Sequence, residues 1–271
     1  MTTTTTDLPA RAASLRSHAL NIAAGRGQGY IGQALGTADI LAALFFGAWQ
    51  FDGDAADRDR FVLSPGHYAL AMYAVLAEQG RMPLDVLRTY GMDGSDVEES
   101  PLEGLTGFEI TGGSLAQGLS QALGLAIGKT LQGHGGHVFC LISDGELEEG
   151  QTWEALLAVG KRQPPNLTVV LDRNGRQVDG PTEAIVPLEP VLDKLEAFGL
   201  AARRVDGHDP AAVSQALGWA AAQAGAAVVV CDTELGHRVP VIRDASYPHY
   251  VRTDADTWGL AAEQLANGAA R

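Results

Sequence analysis

The chain has 271 residues, enough for one large domain whose core needs no disulfide or structural metal. Hydrophobic residues make up 46% and charged residues 19%, which is typical of a folded globular protein and excludes a disordered one. Nineteen basic and 33 acidic residues give a net charge of −14, which disfavours binding to nucleic acid or to an anionic membrane.

The first half of the chain is predicted to be mainly helical. Residues 1–8 are expected to form a disordered tail, and residues 9–271 a single domain. Apolar residues at helical spacing predict helices at 9–24, 38–49, 67–79 and 83–90. A short apolar run at Phe61–Leu63 predicts the first strand. The long segment 91–113 lacks periodicity, so we expect a functional loop there.

The second half alternates regularly between strands and helices. Continuous apolar runs predict strands at 137–142, 167–172, 200–206 and 226–232. Helical patterns predict helices at 114–131, 150–162, 186–198 and 210–224. Strands of this kind, alternating with helices, predict an α/β fold with a parallel sheet that helices cover on both faces.

Nothing in the sequence suggests export or a membrane. The N-terminal threonine run lacks the basic and apolar regions of a signal peptide. The longest apolar stretches, 40–49 and 220–230, are shorter than the ~18–20 residues of a membrane span. Cys140 and Cys231 lie in apolar runs and are predicted to be buried free thiols in a reducing compartment. We therefore expect a cytoplasmic protein.

Polar residues follow two of the predicted strands. The strand at 137–142 is followed by Ser143 and Asp144, and Asn174 follows the next strand, at 167–172. Ligands of parallel sheets bind beyond the carboxyl ends of the strands, so these two side chains are expected to face a common point. A carboxylate and an amide oxygen suit Mg²⁺ when ligand phosphates supply further oxygens. In isolation, such residues are more often a helix cap and a turn residue.

The residues around Asp144 and Asn174 carry a family resemblance. Residues 143–182, SDGELEEGQTWEALLAVGKRQPPNLTVVLDRNGRQVDGPT, resemble the thiamine diphosphate signature of transketolases. Three further segments are similar to transketolase segments in the same order: GYIGQALGTADILAALF, DRFVLSPGHYALAMYAVLAEQG and TGGSLAQGLSQALGLAIG. The resemblance covers about residues 10–250 and is limited to the N-terminal, diphosphate-binding (PP) domain. It implies the PP-domain fold and one subunit of a split transketolase.

The resemblance assigns roles to individual residues. It implies that Asp144, Asn174 and the carbonyl of Arg176 hold Mg²⁺. Besides Asp144 and Asn174, it places the following residues against thiamine diphosphate: His67, Gly113, Ser114, Leu115, Ser143, Gly145 and Glu146. Ser143 replaces the usual glycine before Asp144. His67, Glu149 and His249 are the implied catalytic residues, although a histidine that opens a helix, such as His67, is often structural.

Other residues have two interpretations or depart from the family pattern. Glu149 and Glu154 match acids that face the partner domain and link paired cofactor sites, but acids in a first helical turn are also favoured by the helix dipole. Tyr30 and Ser100 stand where transketolases have histidines that serve substrate hydroxyls and proton transfer. We therefore expect the substrates to differ from the standard sugar phosphate pair.

The implied activity is transfer of a two-carbon ketol or acyl unit from a donor to an aldehyde, with thiamine diphosphate and Mg²⁺. Two alternatives stay open: an acyloin synthase-like subunit that uses a 2-oxoacid donor, and a non-catalytic regulatory subunit. In the family, the glutamate that activates the cofactor lies in the next domain. The resemblance therefore implies a second subunit with the pyrimidine-binding and C-terminal domains, in a heterotetramer. The sequence leaves the donor, the acceptor, the pathway and the partner's identity open.

Overall fold

The computed structural model describes residues 7–268. The helices, in chain order, are α1 Leu8–Arg26, α2 Ile31–Gly36, α3 Ala38–Phe45, α4 Ala69–Glu78, α5 Leu84–Leu87, α6 Gly118–Gln132, α7 Gly150–Arg162, α8 Thr182–Ile185, α9 Val191–Ala197, α10 Pro210–Ala221, α11 Pro240–Arg243 and α12 Ala255–Gly268. The strands are β1 Gln28–Gly29, β2 Arg60–Leu63, β3 Val138–Ser143, β4 Leu167–Arg173, β5 Arg176–Gln177, β6 Gly180–Pro181, β7 Ala201–Asp206, β8 Ala227–Asp232 and β9 Val251–Arg252. Within the described residues, no helix has the length and apolarity that crossing a membrane requires.

A five-stranded sheet forms the centre of the domain. Its strands run parallel in the order β2-β3-β4-β8-β7, which confirms the predicted α/β fold with a parallel sheet. Leu63 of β2 pairs with Leu141 of β3, and Ser143 of β3 pairs with Asp172 of β4. The carboxyl ends of β3 and β4 therefore lie side by side at one edge of the sheet.

Helices cover the sheet on both faces, as the sequence predicts. Side chains that alternate along each strand enter two separate buried clusters, so that Phe61 and Leu63 face one side and Val62 the other. Helices α1, α3, α4 and α10 supply the first cluster, and α6, α7 and α9 supply the second. Cys140 and Cys231 are free thiols and fully buried, as predicted.

Two predicted helices begin at other residues because the backbone cannot be helical there. The helix expected from residue 114 begins at Gly118, since Ala116 has a φ of 65°, outside the right-handed helical region. The helix expected over 186–198 is shortened to α9, because Pro187 and Pro190 interrupt the helical pattern. The loop expected at 91–113 is confirmed, since no helix or strand lies between α5 and α6.

The chain termini also differ from the prediction. Residues 1–6 of the expected tail lie outside the described residues, and Leu8 is not part of a tail, because it opens α1 and is buried. Near the other end, α12 was not predicted. It packs on α1 through an apolar face that contains Trp258, Ala261 and Leu265. This face contributes to the core that supports the sheet.

Candidate active site

The ends of β3 and β4 meet through the side chain of Asp144. Its Oδ1 accepts a hydrogen bond from the amide of Gly145 at 2.9 Å, and its Oδ2 accepts one from the amide of Gly175 at 2.6 Å. The adjacent turn is closed by Asn174, whose Oδ1 accepts from the amide of Arg176 at 3.0 Å. The three groups that the resemblance assigns to a metal therefore occupy two hydrogen-bonded turns.

Electrostatics favour a cation at this place. Asp144 is only 1% exposed, and Asp172 beside it is equally buried. Burial, reinforced by the charge of Asp172, raises the pKa of Asp144 to about 8. Arg173 is the cation that lowers this pKa, and it is itself paired with Glu189. A divalent cation would neutralise these carboxylates, and the carboxylate, amide and carbonyl oxygens are the hard donors that Mg²⁺ takes, so the residues fit the ion.

A cleft of about 690 Å³ opens above these turns. Of the residues that the sequence assigns to cofactor or catalysis, those lining it are His67, Leu115, Ser143, Gly145, Glu149, Arg176 and His249. Gly113 and Ser114 are exposed in the turn just before Leu115, and Asp144 lies buried next to Gly145. The structure thus brings residues from distant parts of the sequence to one cleft.

Glu146 lies in the turn Gly145–Glu148 that follows β3, but its side chain does not line the cleft. Its carboxylate is fully buried and accepts hydrogen bonds from Ser64 Oγ at 2.6 Å, the amide of Ala116 at 2.8 Å and the amide of Ser143 at 3.1 Å. The side chain therefore joins the end of β2, the end of β3 and the loop before α6. Ser64, which the sequence did not single out, is part of this support.

Two histidines and a tyrosine meet at the side of the cleft. The ring centroid of His67 lies 5.1 Å from that of His249 and 5.0 Å from that of Tyr30. Burial, assisted by His249, lowers the pKa of His67 to about 3, and burial also lowers the pKa of His249. Both rings are therefore neutral near pH 7, and each can donate a proton through one nitrogen and accept through the other. Within the described residues, Nδ1 of His249 has no hydrogen-bond partner.

Tyr30 belongs to a polar group that continues away from the cleft. Its ring packs on Tyr250 at a centroid distance of 4.8 Å, and the hydroxyl of Tyr250 donates to Glu99 at 3.0 Å. Gln28 donates to the same carboxylate at 3.0 Å. The buried Oγ of Ser100 has no hydrogen-bond partner in the part of the chain that the structure describes. Of the two positions that depart from the family pattern, Tyr30 thus lies beside His67, and Ser100 lies in the long loop.

Glu149 and Glu154, at the start of α7 and within it, are both exposed. Glu149 precedes the first residue of the helix and lines the mouth of the cleft, and its side chain makes no capping hydrogen bond. Glu154 is exposed further along α7. Glu149 therefore stands where the helix dipole favours an acid, and its role toward a partner stays a prediction.

A second group of potential metal ligands lies away from the cleft. Asp39, His208 and His237 have ligand atoms within 4.8 Å of one another. However, His208 Nε2 accepts from the amide of Glu234 at 2.9 Å, so its proton lies on Nδ1, which faces Asp39. Arg16 also pairs with Asp39. Because this carboxylate is already neutralised and the ring nitrogen carries a proton, the group is a buried ion pair and not a metal site.

The fold and the cleft define a class of diphosphate-binding α/β domain, and comparison with known proteins identifies the family. Residues 10–264 match the family described as "Transketolase, thiamine diphosphate binding domain". The chain belongs to this family and is a transketolase-like, thiamine diphosphate-binding N-terminal subunit.

Individual relatives agree with this assignment. The chain is 41% identical to the transketolase family protein y4mO of Sinorhizobium fredii, over 96% of both chains. It is 33% identical to the 6-deoxy-6-sulfo-D-fructose transketolase subunit SqwG of a Clostridium species, again over 96% of both chains. A crystal structure of transketolase from Campylobacter jejuni superposes with a TM-score of 0.88 at 26% identity, over 96% of this chain and 42% of that one. The chain therefore has the length of a subunit and less than half the length of that transketolase.

Proposed function

We propose that the chain binds thiamine diphosphate and Mg²⁺ in the cleft and acts with a partner in the transfer of a two-carbon ketol or acyl unit to an aldehyde. The observation that carries this proposal is the buried carboxylate of Asp144 where the turns after β3 and β4 meet. Asp144, Asn174 and the carbonyl of Arg176 would hold the ion. When bound, thiamine diphosphate supplies the electron sink that cleavage of a carbon–carbon bond requires.

The residues of the chain would position the reactants and handle protons. Glu146 fixes the loop that ends at Leu115, so that the backbone of this loop forms one wall of the cleft. The neutral rings of His67 and His249 can exchange protons with substrate hydroxyls. Hydrogen-bonding capacity on His249 Nδ1 is unused among residues 7–268, which supports a role toward a ligand.

A partner subunit is part of this proposal. Glu149 is exposed and lines the cleft together with Val178, and the apolar side chains of Val178 and Val186 are about half exposed, at 53% and 46%. The full-length match to SqwG, whose name describes a subunit, supports a split enzyme. The partner would carry the pyrimidine-binding and C-terminal domains and the glutamate that activates the cofactor, and two copies of each chain would form a heterotetramer.

Tyr30 and Ser100 support a substrate other than the standard sugar phosphates. The site lacks two histidines that the family uses toward substrate hydroxyls, and a site without such donors discriminates against substrates that need them. We expect poor turnover of xylulose 5-phosphate with ribose 5-phosphate. Robust turnover of this pair would contradict the substrate assignment and leave the cofactor assignment intact.

Cofactor binding is tested with Asp144→Ala. Calorimetric titration of the chain mixed with its partner should show binding of thiamine diphosphate and Mg²⁺ to the unaltered protein and loss of binding in the variant, because a metal ligand is removed. Asp93→Ala, which alters an exposed acid in the long loop, is the control and should bind normally. Circular dichroism checks that both variants are folded. Equal affinities in all three proteins would refute the metal site.

Partner dependence is tested by mixing. The chain alone and the chain with the product of the neighbouring gene are assayed for carbon–carbon ligation with thiamine diphosphate and Mg²⁺. We expect activity only in the mixture. Comparable activity of the lone chain would refute the split enzyme. Cofactor binding without activity in any mixture would favour the regulatory alternative, and activity limited to 2-oxoacid donors would favour the acyloin synthase alternative.

A further inference from the structure

The hydroxyl of Tyr68 lies beneath the proposed metal site. Tyr68 ends the 3-10 turn Gly66–Tyr68, directly after His67, and its side chain is fully buried. Its Oη donates to Asp172 Oδ2 at 2.6 Å and accepts from Asn174 Nδ2 at 3.0 Å. Nδ2 of Asn174 also donates to Asp172 Oδ2, at 2.9 Å. The three side chains therefore form a closed triangle of hydrogen bonds.

This triangle determines which way the amide of Asn174 faces. An amide has one nitrogen with two protons and one oxygen with lone pairs. Tyr68 and Asp172 accept both protons, so the oxygen must point to the opposite side, where it accepts from the amide of Arg176 at 3.0 Å. If the amide turned over, the NH₂ group would face the metal position, and an NH₂ group cannot ligate a cation.

Asp172 is itself held in place. Its second oxygen, Oδ1, accepts a hydrogen bond from Thr233 at the end of β8. Since Asp172 is fixed from the other side, the Tyr68 hydroxyl has one arrangement in which it can both donate and accept. Residues from β4, the turn after β2 and the end of β8 thus converge on one amide.

We propose that Tyr68 is a positioning residue, whose hydroxyl holds the oxygen of Asn174 toward the metal position. This role rests on the proposed function, because it requires a metal there. Groups that orient metal ligands typically change metal affinity by about 10–100-fold when they are removed. Tyr68→Phe removes the hydroxyl and keeps the ring, so the loss should appear in metal affinity more than in folding.

The test is a titration of the chain, mixed with the product of the neighbouring gene, with Mn²⁺ in the presence of thiamine diphosphate, followed by electron paramagnetic resonance. Tyr68→Phe should weaken Mn²⁺ binding by about 10–100-fold. The matched control is Tyr73→Phe, because Tyr73 is also fully buried and its hydroxyl donates to the carbonyl of Glu98 at 2.8 Å, away from the metal position. Tyr73→Phe should change Mn²⁺ affinity by less than about twofold while losing a comparable hydrogen bond.

A second background separates orientation from general packing. Asn174→Asp offers two oxygens, so it has no wrong orientation, and adding Tyr68→Phe to it should change Mn²⁺ affinity by less than about twofold. Wild-type affinity in Tyr68→Phe, or an equal loss in both backgrounds, would overturn the positioning role. Failure of the unaltered chain, mixed with its partner, to bind Mn²⁺ with thiamine diphosphate would overturn the proposed function itself, and the role with it.

Discussion

Gly118, the first residue of α6, packs directly on Ser64 at the end of β2. A Cβ atom added at Gly118 would lie 2.5 Å from Ser64 Cβ and 2.6 Å from Ser64 Cα. Ser64 cannot move away freely, because its Oγ accepts from the amide of Gly118 at 3.1 Å and donates to Glu146 at 2.6 Å. Gly118→Ala should therefore disturb the support of the cofactor loop.

The magnitude follows from two opposing effects. Alanine in a helix is favoured over glycine by about 0.5–1 kcal/mol. Overpacking typically costs about 1–3 kcal/mol, and weakening the hydrogen bond to the Glu146 carboxylate about 1.5–3 kcal/mol. The steric effect dominates, so we expect Gly118→Ala to lower the free energy of unfolding by about 2–5 kcal/mol.

Gly124 on the same helix provides the control. An added Cβ there meets no heavy atom within 4 Å, so Gly124→Ala should raise the free energy of unfolding by about 0.5–1 kcal/mol. Urea unfolding of both variants measures the difference, and calorimetry with thiamine diphosphate and Mg²⁺ should show weaker binding only for Gly118→Ala. If the two variants are equally stable, the packing argument is wrong.

Two further predictions concern buried charge. Asp39→Asn leaves the buried guanidinium of Arg16 without its counter-ion and should destabilise the fold by about 3–5 kcal/mol in urea unfolding, and a loss below about 1 kcal/mol would contradict this. Burial lowers the pKa of His137 to about 4, so below pH 6.5 the unfolded chain binds a proton that the folded chain does not. From pH 7 to pH 5 this residue should lower the free energy of unfolding by about 2 kcal/mol. His137→Gln should remove that loss, whereas His134→Gln, at an exposed site, should retain it. Equal pH slopes of the free energy of unfolding in the two variants would disprove this prediction.

The central sheet was predictable because burial dominates its sequence. Strands β3, β4 and β8 are continuous apolar runs, and the structure places them within a residue of their expected bounds. Asp144 and Asn174 were recognisable for the same reason, since a polar residue directly after such a run lies at the edge of the sheet. These are local patterns, and they need no knowledge of distant contacts.

What the sequence did not reveal depends on contacts between distant residues. Ser64, Glu146 and Tyr68 act through partners 82 to 106 positions away, and no local spacing records such a pair. Glu146 lies in a turn as expected, but the sequence did not reveal that its carboxylate accepts a hydrogen bond from Ser64 at the end of β2. In α12, by contrast, Trp258, Ala261 and Leu265 form an apolar face at helical spacing, which is a local pattern.

The strand order has a consequence for how the chain is made. β8 lies between β4 and β7, yet it is the last of the five main strands to leave the ribosome. Until residue 232 has emerged, β4 and β7 each present an unpaired edge, and unpaired edges favour association between chains. Asp144 and Asn174 are synthesised long before this point, but β4, which Asn174 follows, has only one neighbour until β8 arrives. A transcript or protease cut that ends the chain before β8 would therefore yield an aggregating fragment, and not a smaller cofactor-binding unit.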